Sequence, residues 1–483
     1  MSVFGECGVA CNIKSSFWYQ LDGPERAIII GRAAARKLAH ETATALQHEL
    51  ISDGWRSGEM VGTLTDIRHR YGLGRLAFRQ AIGILEMRGW VESRRGGGGG
   101  LVLTLPTVQD LATLTTLYLY LKDACTNQII EAHRSVHQSI VRKLVMCGGE
   151  RHALSDFRCA NTATQIRSDA ALPSLADSNL NFSRWLATQT GNRCLSFIMD
   201  FVLALYEESA RTTMVAPIPE EEALWDAICS TDNHRAMIAL DRYLACIECL
   251  RPGAKLGLPR AFPRNSSGGS ITCAARLMHR LIDEIARRGQ RGPFNLGTEA
   301  EIGSRHDHKQ DVVRQAVRML EDIGVAVVRR GGQGGLTSRD PDLAAVIELI
   351  PPLLFQRSVS WIEVLEALCF LKPEAARLAA LHVCDATANE QVATLTEQLL
   401  SARPMRSHEL ITMENTLVDL AENSVLTACD RGLLLYGPVR PPVDPAGAQA
   451  TAGFEGMRNI VDAVLRGDPQ AAETIASLRL GIA

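Results

Sequence analysis

Two stretches of this chain repeat one another. They read GTLTDIRHRYGLGRLAFRQAIGILEMRGWVESRRGG (residues 62–97) and GTEAEIGSRHDHKQDVVRQAVRMLEDIGVAVVRRGG (residues 297–332). Identical residues recur with no gap at a constant difference of 235 in residue number, as in the Arg-Gln-Ala of residues 79–81 and 314–316. This difference is here called the repeat offset. A gap-free repeat over so long a window indicates that one unit was duplicated and fused, so that one chain carries what most proteins assemble from two subunits.

Each repeat predicts a pair of short helices with a defined start. Thr63 is followed three residues later by Asp66, and Thr298 is followed by Glu301. A threonine with a carboxylate three residues on is typical of a capping box, in which each side chain binds a free backbone N–H of the other residue. The sequence therefore predicts that a helix begins at Thr63 and that its copy begins at Thr298.

The helix that follows in repeat 1 has two faces. Phe78, Ile82 and Leu85 recur at helical spacing and predict the inward face, while Arg75 and Arg79 share the outward face. This helix is predicted to end at Gly89. A further helix is predicted before Thr63, with Leu46, Leu50 and Ile51 on its apolar face. Residues 90–93 and 101–103 then predict two strands around a basic, glycine-rich tip. Two helices and such a hairpin predict a winged helix-turn-helix.

The rest of the chain predicts helices. Residues 363–380 form an amphipathic helical pattern, and residues 224–244 and 460–480 predict matching last helices, each interrupted by a cap at Asp232 or Asp468. The predicted fold is mainly α, with two winged helix-turn-helix domains, each followed by an all-helical domain, as an intrachain pseudo-dimer. The predicted segments are an N-terminal tail (1–30), repeat 1 (31–105), helical region 1 (106–250), an exposed linker (251–270), repeat 2 (271–340) and helical region 2 (341–483).

Composition limits the class of protein. The chain has 483 residues, 46% hydrophobic and 22% charged, with a formal net charge of −3. These values are typical of a globular protein of several domains with no overall attraction to nucleic acid. No apolar run reaches the length of a membrane span, about 18 residues, so no membrane contact is expected. The 13 scattered cysteines and the lack of a clear signal predict a reduced, cytoplasmic protein.

These residues resemble the GntR superfamily of bacterial transcription regulators. The stretch GLGRLAFRQAIGILEMRGWV (72–91) is similar to its recognition-helix signature. The helical regions resemble the FadR-type effector domain in FSRWLATQTGNRCL (182–195), EALCFLKPEAARLAA (366–380) and IVDAVLRGDPQAA (460–472). The resemblance implies a regulator that binds double-stranded operator DNA. The arginine that the family usually carries in the second helix is replaced by Thr65 in repeat 1 and by Ala300 in repeat 2.

The candidate DNA-binding residues are basic groups and wing glycines. Arginine pairs bidentately with guanine in the major groove, and a glycine-tipped wing lets the backbone approach phosphate or the minor groove. Residues 55–101 hold eight arginines against four acidic residues. The candidates are Arg68, Arg70, Arg75, Arg79, Arg94, Arg95 and Gly97 in repeat 1, and Lys309, Arg314, Arg329 and Arg330 in repeat 2. The alternative is an arginine face that only keeps the protein soluble.

Repeat 2 is expected to bind DNA more weakly. Gln310 stands where repeat 1 has Arg75, and Asp307 and Asp311 add negative charge to the face that would meet phosphate. If both repeats bind, they would read the halves of an imperfect palindrome differently. The alternative is a purely structural repeat 2, retained for pairing.

The resemblance also implies an effector pocket. Many FadR-type domains hold a divalent metal on one Asp and three His. Their positions fall on Asn179, Ser183, Glu221 and Tyr243 in helical region 1, and on Leu410, Glu414, Met457 and Arg479 in helical region 2. No imidazole remains, so neither a metal nor another cofactor is expected. An arginine of the family pocket is replaced by His133 and Leu368.

A small organic acid is the expected ligand of such a pocket. In helical region 1, polar candidates remain to line it, namely His133, Asn179, Ser183, Glu221 and Tyr243. Region 2 is expected to be mainly apolar at these positions. The alternative is that both pockets have collapsed into the core.

The sequence thus favours a DNA-binding transcriptional regulator whose operator affinity responds to a small organic ligand. Further self-association of the pseudo-dimer is compatible with this prediction. The alternatives are a degenerate regulator that acts as a protein-interaction module with weak or no specific DNA binding, and a ligand sensor whose output is protein–protein contact. An enzyme is not expected, because the chain has no Walker loop, HExxH or GxSxG motif. The glycines at 96–100 precede a strand pattern, whereas a phosphate-binding loop precedes a helix.

Overall fold

The structure is a computed structural model of the chain. It describes residues 42–43, 45–47, 49–50, 57–72, 74–94, 100–150, 152–158, 175–209, 218–248, 250–259, 273–289, 292–329, 334–383, 392–393, 395–397, 407–437 and 448–480. The described chain is mainly helical, with a few short strands.

The elements of the first half are β1 (Met60–Gly62), α1 (Leu64–Arg70), α2 (Arg75–Met87), β2 (Val91–Ser93), β3 (Leu101–Leu103), α3 (Val108–Leu121), α4 (Asn127–Cys147), α5 (Leu175–Gln189), α6 (Arg193–Ser209), α7 (Ile218–Cys229) and α8 (Asn233–Ile247). Those of the second half are α9 (Cys273–Gly289), β4 (Asn295–Gly297), α10 (Glu299–His306), α11 (Gln310–Asp322), β5 (Ala326–Arg329), β6 (Gly335–Ser338), α12 (Ala344–Gln356), α13 (Trp361–His382), α14 (Ser407–Leu420), α15 (Ser424–Tyr436), α16 (Ala448–Leu465) and α17 (Pro469–Leu480).

Repeat 1 combines two helices with a three-stranded antiparallel sheet. The strand order is β1-β3-β2, and β2 pairs with β3 as the predicted hairpin. Thr63 caps α1 as predicted, since its hydroxyl accepts a bond from the Asp66 backbone N–H at 3.2 Å. The predicted return bond differs, because the Asp66 carboxylate accepts the Thr63 hydroxyl at 2.6 Å and not its backbone N–H. Phe78, Ile82 and Leu85 are buried in the core of this unit, as their spacing predicts. Local caps and a single apolar stripe therefore fix this part of the fold.

From β4 onwards, repeat 2 has the same elements in the same order as repeat 1. Its sheet has the order β4-β6-β5, and β4 begins exactly one repeat offset after β1, at Asn295 against Met60. Thr298 and Glu301 form a complete capping box at the start of α10. The predicted helix starts are therefore confirmed in both repeats.

The two helical regions follow the predicted breaks. Asp232 caps α8 by accepting the Arg235 backbone N–H at 3.0 Å, and Asp468 accepts the Ala471 N–H at 3.0 Å at the start of α17. Both predicted caps are confirmed, because an aspartate carboxylate satisfies a backbone donor that the first turn leaves free. The amphipathic helix predicted for residues 363–380 is α13, which carries Pro373 in its interior.

The hydrophobic core is distributed unequally between the repeats. One cluster lies within the amino-terminal unit, from Ala43 to Leu103. A much larger cluster joins both helical regions to repeat 2, and Met87 at the end of α2 also belongs to it. Repeat 2 is therefore continuous with the helical body, while repeat 1 meets that body through the end of α2.

The helical regions contact each other reciprocally. The Asn192 amide, at the start of α6, donates to the Glu363 carbonyl at 2.9 Å and to the Glu366 carboxylate at 2.7 Å. The Asn423 amide, at the start of α15, donates to the Gln128 carbonyl at 2.8 Å and to the Glu131 carboxylate at 3.1 Å. The acceptors occupy equivalent positions in the two halves, because each pair differs by the repeat offset. Such exchange of equivalent contacts is the property of an isologous, two-fold interface.

The segment predicted to be an exposed linker is partly anchored. Its beginning, residues 251–259, is largely exposed, but the Arg251 carbonyl accepts the Thr126 hydroxyl at 2.6 Å and Lys255 forms an ion pair with Asp123 at 2.7 Å. Leu256 is 9% exposed. The segment therefore follows the α3–α4 loop over these residues, whereas composition alone suggests an unattached connection.

Among the described helices, none has the length and apolar character that crossing a membrane requires.

Candidate nucleic-acid interface and ligand cavity

The amino-terminal end of α2 presents two guanidinium groups to solvent. Arg75 and Arg79 are exposed, one turn apart, and among the described residues no acceptor bonds to either. The end of the same helix is covered, because Ile84, Met87 and Arg88 are all buried. The exposed start of α2 is therefore the part of this helix that can reach a ligand.

Arg70 has an intramolecular partner. Its guanidinium lies 2.6 Å from the Glu49 carboxylate, and the Tyr71 hydroxyl donates to the same carboxylate. The pair recurs in repeat 2, where Arg305 lies 3.1 Å from Glu284. A pair kept at both positions indicates that Arg70 ties the preceding helix to α1. Phosphate contact through Arg70 requires sharing or breaking this pair.

Arg68 and Arg94 differ in their exposure. Arg68 is half-buried, with its guanidinium 3.3 Å from the His69 ring nitrogen. Arg94 is exposed, and its backbone N–H donates to the Gly100 carbonyl at 2.9 Å across the base of the hairpin. The wing residues Arg95, Gly97 and Arg330 lie outside the described residues.

Repeat 2 neutralises more of its positive charge. Arg314, the counterpart of Arg79, is 2.8 Å from the Glu299 carboxylate. Lys309 and Arg329 are exposed, but Asp307 and Asp311 are exposed on the same unit. The surface corresponding to the Arg75–Arg79 face is thus of mixed charge, as the sequence predicts.

Two of the polar candidates of helical region 1, Ser183 and Tyr243, bond to each other. The Ser183 hydroxyl lies 3.0 Å from the Tyr243 hydroxyl and 3.0 Å from Nε2 of His137. His133 and His137 are a helical turn apart on α4, with ring centroids 4.4 Å apart. Ser183, Tyr243 and both histidines are at most 3% exposed. Helix spacing from His133 could have indicated His137, which the sequence analysis does not include.

Burial sets the protonation of this cluster. It lowers the pKa of His137 to about 4 and also lowers that of His133. It raises the pKa of Tyr243. The cluster is therefore neutral near pH 7. Ser183, Tyr243 and both ring nitrogens of His137 have bonding partners, whereas Nε2 of His133 is buried with no hydrogen-bond partner among the described residues. Asn179 lies in α5, and its side chain falls outside the described residues.

Glu221 stands apart from that bonded set. Its residue is 5% exposed, and its carboxylate lies 3.8 Å from the Arg158 guanidinium. Burial raises the pKa of Glu221 to about 7, although Arg158 opposes the shift.

The raised pKa of Glu221 predicts a pH-dependent stability. Between pH 4.5 and about 7 the unfolded chain releases this proton while the folded chain retains it. Stability contributed by this group therefore falls as pH rises through that window. Glu221→Gln is expected to remove this loss. The melting temperature of the variant relative to that of the parent should therefore rise from pH 4.5 to about pH 7. Melting temperatures of both proteins across the window test this, and a constant difference between them would contradict it.

Helical region 2 contains a cavity at the positions expected for an effector. The cavity itself is small, about 30 Å³, within a wider space of about 390 Å³ that extends to solvent, and its lining includes Glu414, Met457, Arg479 and Lys372. The Glu414 carboxylate is 2.5 Å from Lys372 and 3.1 Å from Arg479. The lining is mainly apolar, as expected for region 2, but it also carries the charged Lys372, Glu414 and Arg479. Lys372 enters from α13, and no local pattern links it to Glu414, 42 residues away.

The charges of this cavity favour an anion. Burial opposes ionisation of Glu414, but Lys372 and Arg479 outweigh it and lower its pKa. Two cations thus share one carboxylate at the cavity wall. Asp430 on α15 is also buried, and burial raises its pKa despite Lys372. A ligand carboxylate would find a cationic wall here if it replaced Glu414 as a partner.

Within the described parts of the chain, no group of three or more His, Cys, Asp or Glu side chains is placed to hold a metal ion.

Comparisons with solved structures give a weak likeness to a regulator. No family model matches the chain, and no curated protein matches it. Among solved structures, a chain described as Streptococcus agalactiae GntR is 19% identical, with 43% of this chain and 97% of that chain covered and a TM-score of 0.30. Such a score does not establish a shared fold, so the resemblance to the GntR superfamily remains a prediction.

Proposed function

We propose that this protein is a DNA-binding transcriptional regulator of the FadR-type GntR kind. In this proposal two winged helix-turn-helix units, each followed by a helical effector-type domain, form a pseudo-dimer within one chain. The observation that carries it is the exposed Arg75 and Arg79 pair at the start of α2. A helix end that presents two arginines fits the major groove, where each can pair with guanine.

The reciprocal bonds of Asn192 and Asn423 support the pseudo-dimer. Equivalent bonds exchanged between the two halves are what fusion of two subunits of a symmetric dimer would leave. The unequal charges of the two repeats support an unequal division of work, in which repeat 1 makes most base contacts.

The DNA-binding proposal is tested by fluorescence anisotropy of the full chain. The probes are a duplex from the region upstream of its own coding sequence and a scrambled duplex, at two salt concentrations. Specific binding should weaken with salt with a logarithmic slope of about 0.9 per phosphate neutralised. Weak binding that is equal on both duplexes would contradict the proposal. It would favour the alternative of a protein-interaction module, for which the mixed charge of repeat 2 is the supporting observation.

We further propose that the cavity of helical region 2 binds a small organic acid that changes operator affinity. Its support is the cationic wall of Lys372 and Arg479 beside the Glu414 carboxylate. Region 1 offers the polar set of His133, Ser183 and Tyr243, but these groups already contact neighbouring side chains. The region 2 cavity is therefore the better supported ligand site.

A panel of aliphatic mono- and dicarboxylates, added as sodium salts, tests this site by thermal shift. A carboxylate at 100 times its dissociation constant should stabilise the fold by about 2.7 kcal/mol. We expect the shift to disappear in Arg479→Met and to persist in Arg466→Met, which alters an exposed pair with Asp462. No shift with any member of the panel, or an equal shift in Arg479→Met, would contradict the proposal. Anisotropy with the upstream duplex then shows whether the ligand changes DNA affinity.

A further inference from the structure

Arg88 joins three parts of the chain. It follows α2 directly, and its guanidinium binds the Asp322 carboxylate through two bonds, Nε to Oδ2 at 2.9 Å and Nη2 to Oδ1 at 2.7 Å. Nη2 also lies 3.4 Å from the Glu348 carboxylate on α12. Asp322 is the last residue of α11 in repeat 2, and Glu348 belongs to helical region 2. One side chain thus connects repeat 1 to repeat 2 and to the helical body.

This contact is shielded from water. Arg88 is 8% exposed and Asp322 is 0% exposed. Burial alone would lower the pKa of Arg88, but Asp322 and Glu348 outweigh it and raise that pKa. A paired bond of this kind fixes the plane of the guanidinium as well as its position. It therefore restricts rotation and sliding of the two helix ends, which apolar contact alone restricts less because it is non-directional.

The two helices approach closely beside this contact. A Cβ placed on Gly83 of α2 would lie 2.9 Å from the Gln315 side-chain nitrogen on α11. Gln80 is 7% exposed although it is polar. The middle and end of α2 therefore pack against α11, so that only the first turns of α2, with Arg75 and Arg79, are free to contact DNA.

The Arg88–Asp322 contact has no equivalent at the positions related by the repeat offset. Under the repeat offset, the counterpart of Arg88 in repeat 2 is Ile323, and the counterpart of Asp322 in repeat 1 is Met87. Unlike the Asn192 and Asn423 bonds, this ion pair has no counterpart by residue type. It can form only where two unlike repeats meet, as they do within one chain.

We propose that Arg88 is a positioning residue that holds α2 against α11, so that the two DNA-facing helix ends keep one separation and the chain accepts one spacing between the DNA segments it contacts. This inference rests on the proposed DNA-binding function. Buried ion pairs specify a register in some proteins even where they add little stability.

The test compares stability with spacing selectivity. The test uses two single variants, Arg88→Met and Asp322→Leu, and their combination, all in a Glu348→Gln background. In the combination, no carboxylate of this contact is then left charged and buried. Each single change is expected to lower the urea midpoint strongly. The combination is expected to regain most of it, because apolar replacement of a whole buried pair is often neutral. Stability is thereby separated from positioning.

Spacing selectivity is measured on the upstream duplex after footprinting. One or two base pairs are inserted between the two protected segments. The Glu348→Gln parent is expected to lose at least about tenfold in affinity on insertion, and the stable combination less than about threefold. Arg134→Met, which removes an exposed pair with Asp241, should lose as much as the parent. Parental selectivity in the combination, or a footprint of a single segment, would overturn the proposal.

Hydrogen exchange without DNA separates this inference from the proposed function. Amides of α2 are expected to exchange at least about tenfold faster in the combination than in the parent, while those of α13 stay unchanged. Faster exchange with no DNA binding by any form would contradict the proposed function and leave Arg88 as the residue that fixes α2. Unchanged exchange in α2 would overturn the assignment of Arg88 whether or not the chain binds DNA.

Discussion

Replacement of Arg79 by alanine is expected to cost about 1–3 kcal/mol of discrimination between the upstream duplex and scrambled DNA. Arg79 is exposed at the start of α2 and has no bonded acceptor among the described residues. Its guanidinium can therefore pair with a base without first giving up an intramolecular partner. The measurement is anisotropy of the full chain on both duplexes at a fixed salt concentration, because affinity for DNA depends steeply on salt.

Repeat 2 supplies the matched control. Arg314 is the counterpart of Arg79 under the repeat offset, on the equivalent helix, but its guanidinium is held 2.8 Å from Glu299. Arg314→Ala is therefore expected to cost less discrimination than Arg79→Ala. Equal losses at the two positions would mean that the repeats contact DNA alike, and no loss at Arg79 would contradict the assignment of α2 as the recognition helix.

Replacement of Glu374 by alanine is expected to lower the free energy of unfolding by about 3–5 kcal/mol. Glu374 is 0% exposed, and its carboxylate lies 2.7 Å from Arg142 and 3.0 Å from Arg377. The two arginines are counterparts under the repeat offset, so equivalent residues of the two halves meet on one carboxylate. Its removal would leave Arg377 without this carboxylate, and Arg142 with Glu473 alone, inside the contact between α4 and α13.

Urea unfolding tests the Glu374 prediction, with the free energy taken from the midpoint and slope. Asp462→Ala is the control, because its pair with Arg466 is an exposed contact one helical turn apart. Such surface pairs contribute about 0.2–1 kcal/mol. A loss in Glu374→Ala no larger than in the control would show that the contact between the helical regions does not depend on this carboxylate. The counterpart of Glu374 by offset is Ser139, so this charge, like Arg88, breaks the symmetry of the repeat.

Local structure could be predicted from the sequence because its causes are local. The Thr63 and Thr298 helix starts and the Asp232 and Asp468 caps depend on groups within four residues. The inward spacing of Phe78, Ile82 and Leu85 likewise follows from the helical period. The mixed charge around Lys309 follows from the composition of the repeat itself.

The partners of the charged side chains required the tertiary structure. Nothing within a few residues of Arg70 indicates Glu49, and nothing near Arg314 indicates that Glu299 takes its charge. The same holds for the candidate effector sites, where the expected polar pocket of region 1 has its hydroxyls bonded to neighbours and the expected apolar site of region 2 has a cationic wall.

The sequence by itself determined the helix starts, the hairpin of repeat 1 and the exposed arginines of α2, since these depend on periodicity and on neighbours along the chain. Tertiary structure alone decided that α2 meets α11 through Arg88 and Asp322, and that Lys372 meets Glu414 and Arg479. The physical reason is that an ion pair or a cavity depends on how distant segments pack. A charge in the sequence specifies the type of partner it needs, and only packing specifies which one it obtains.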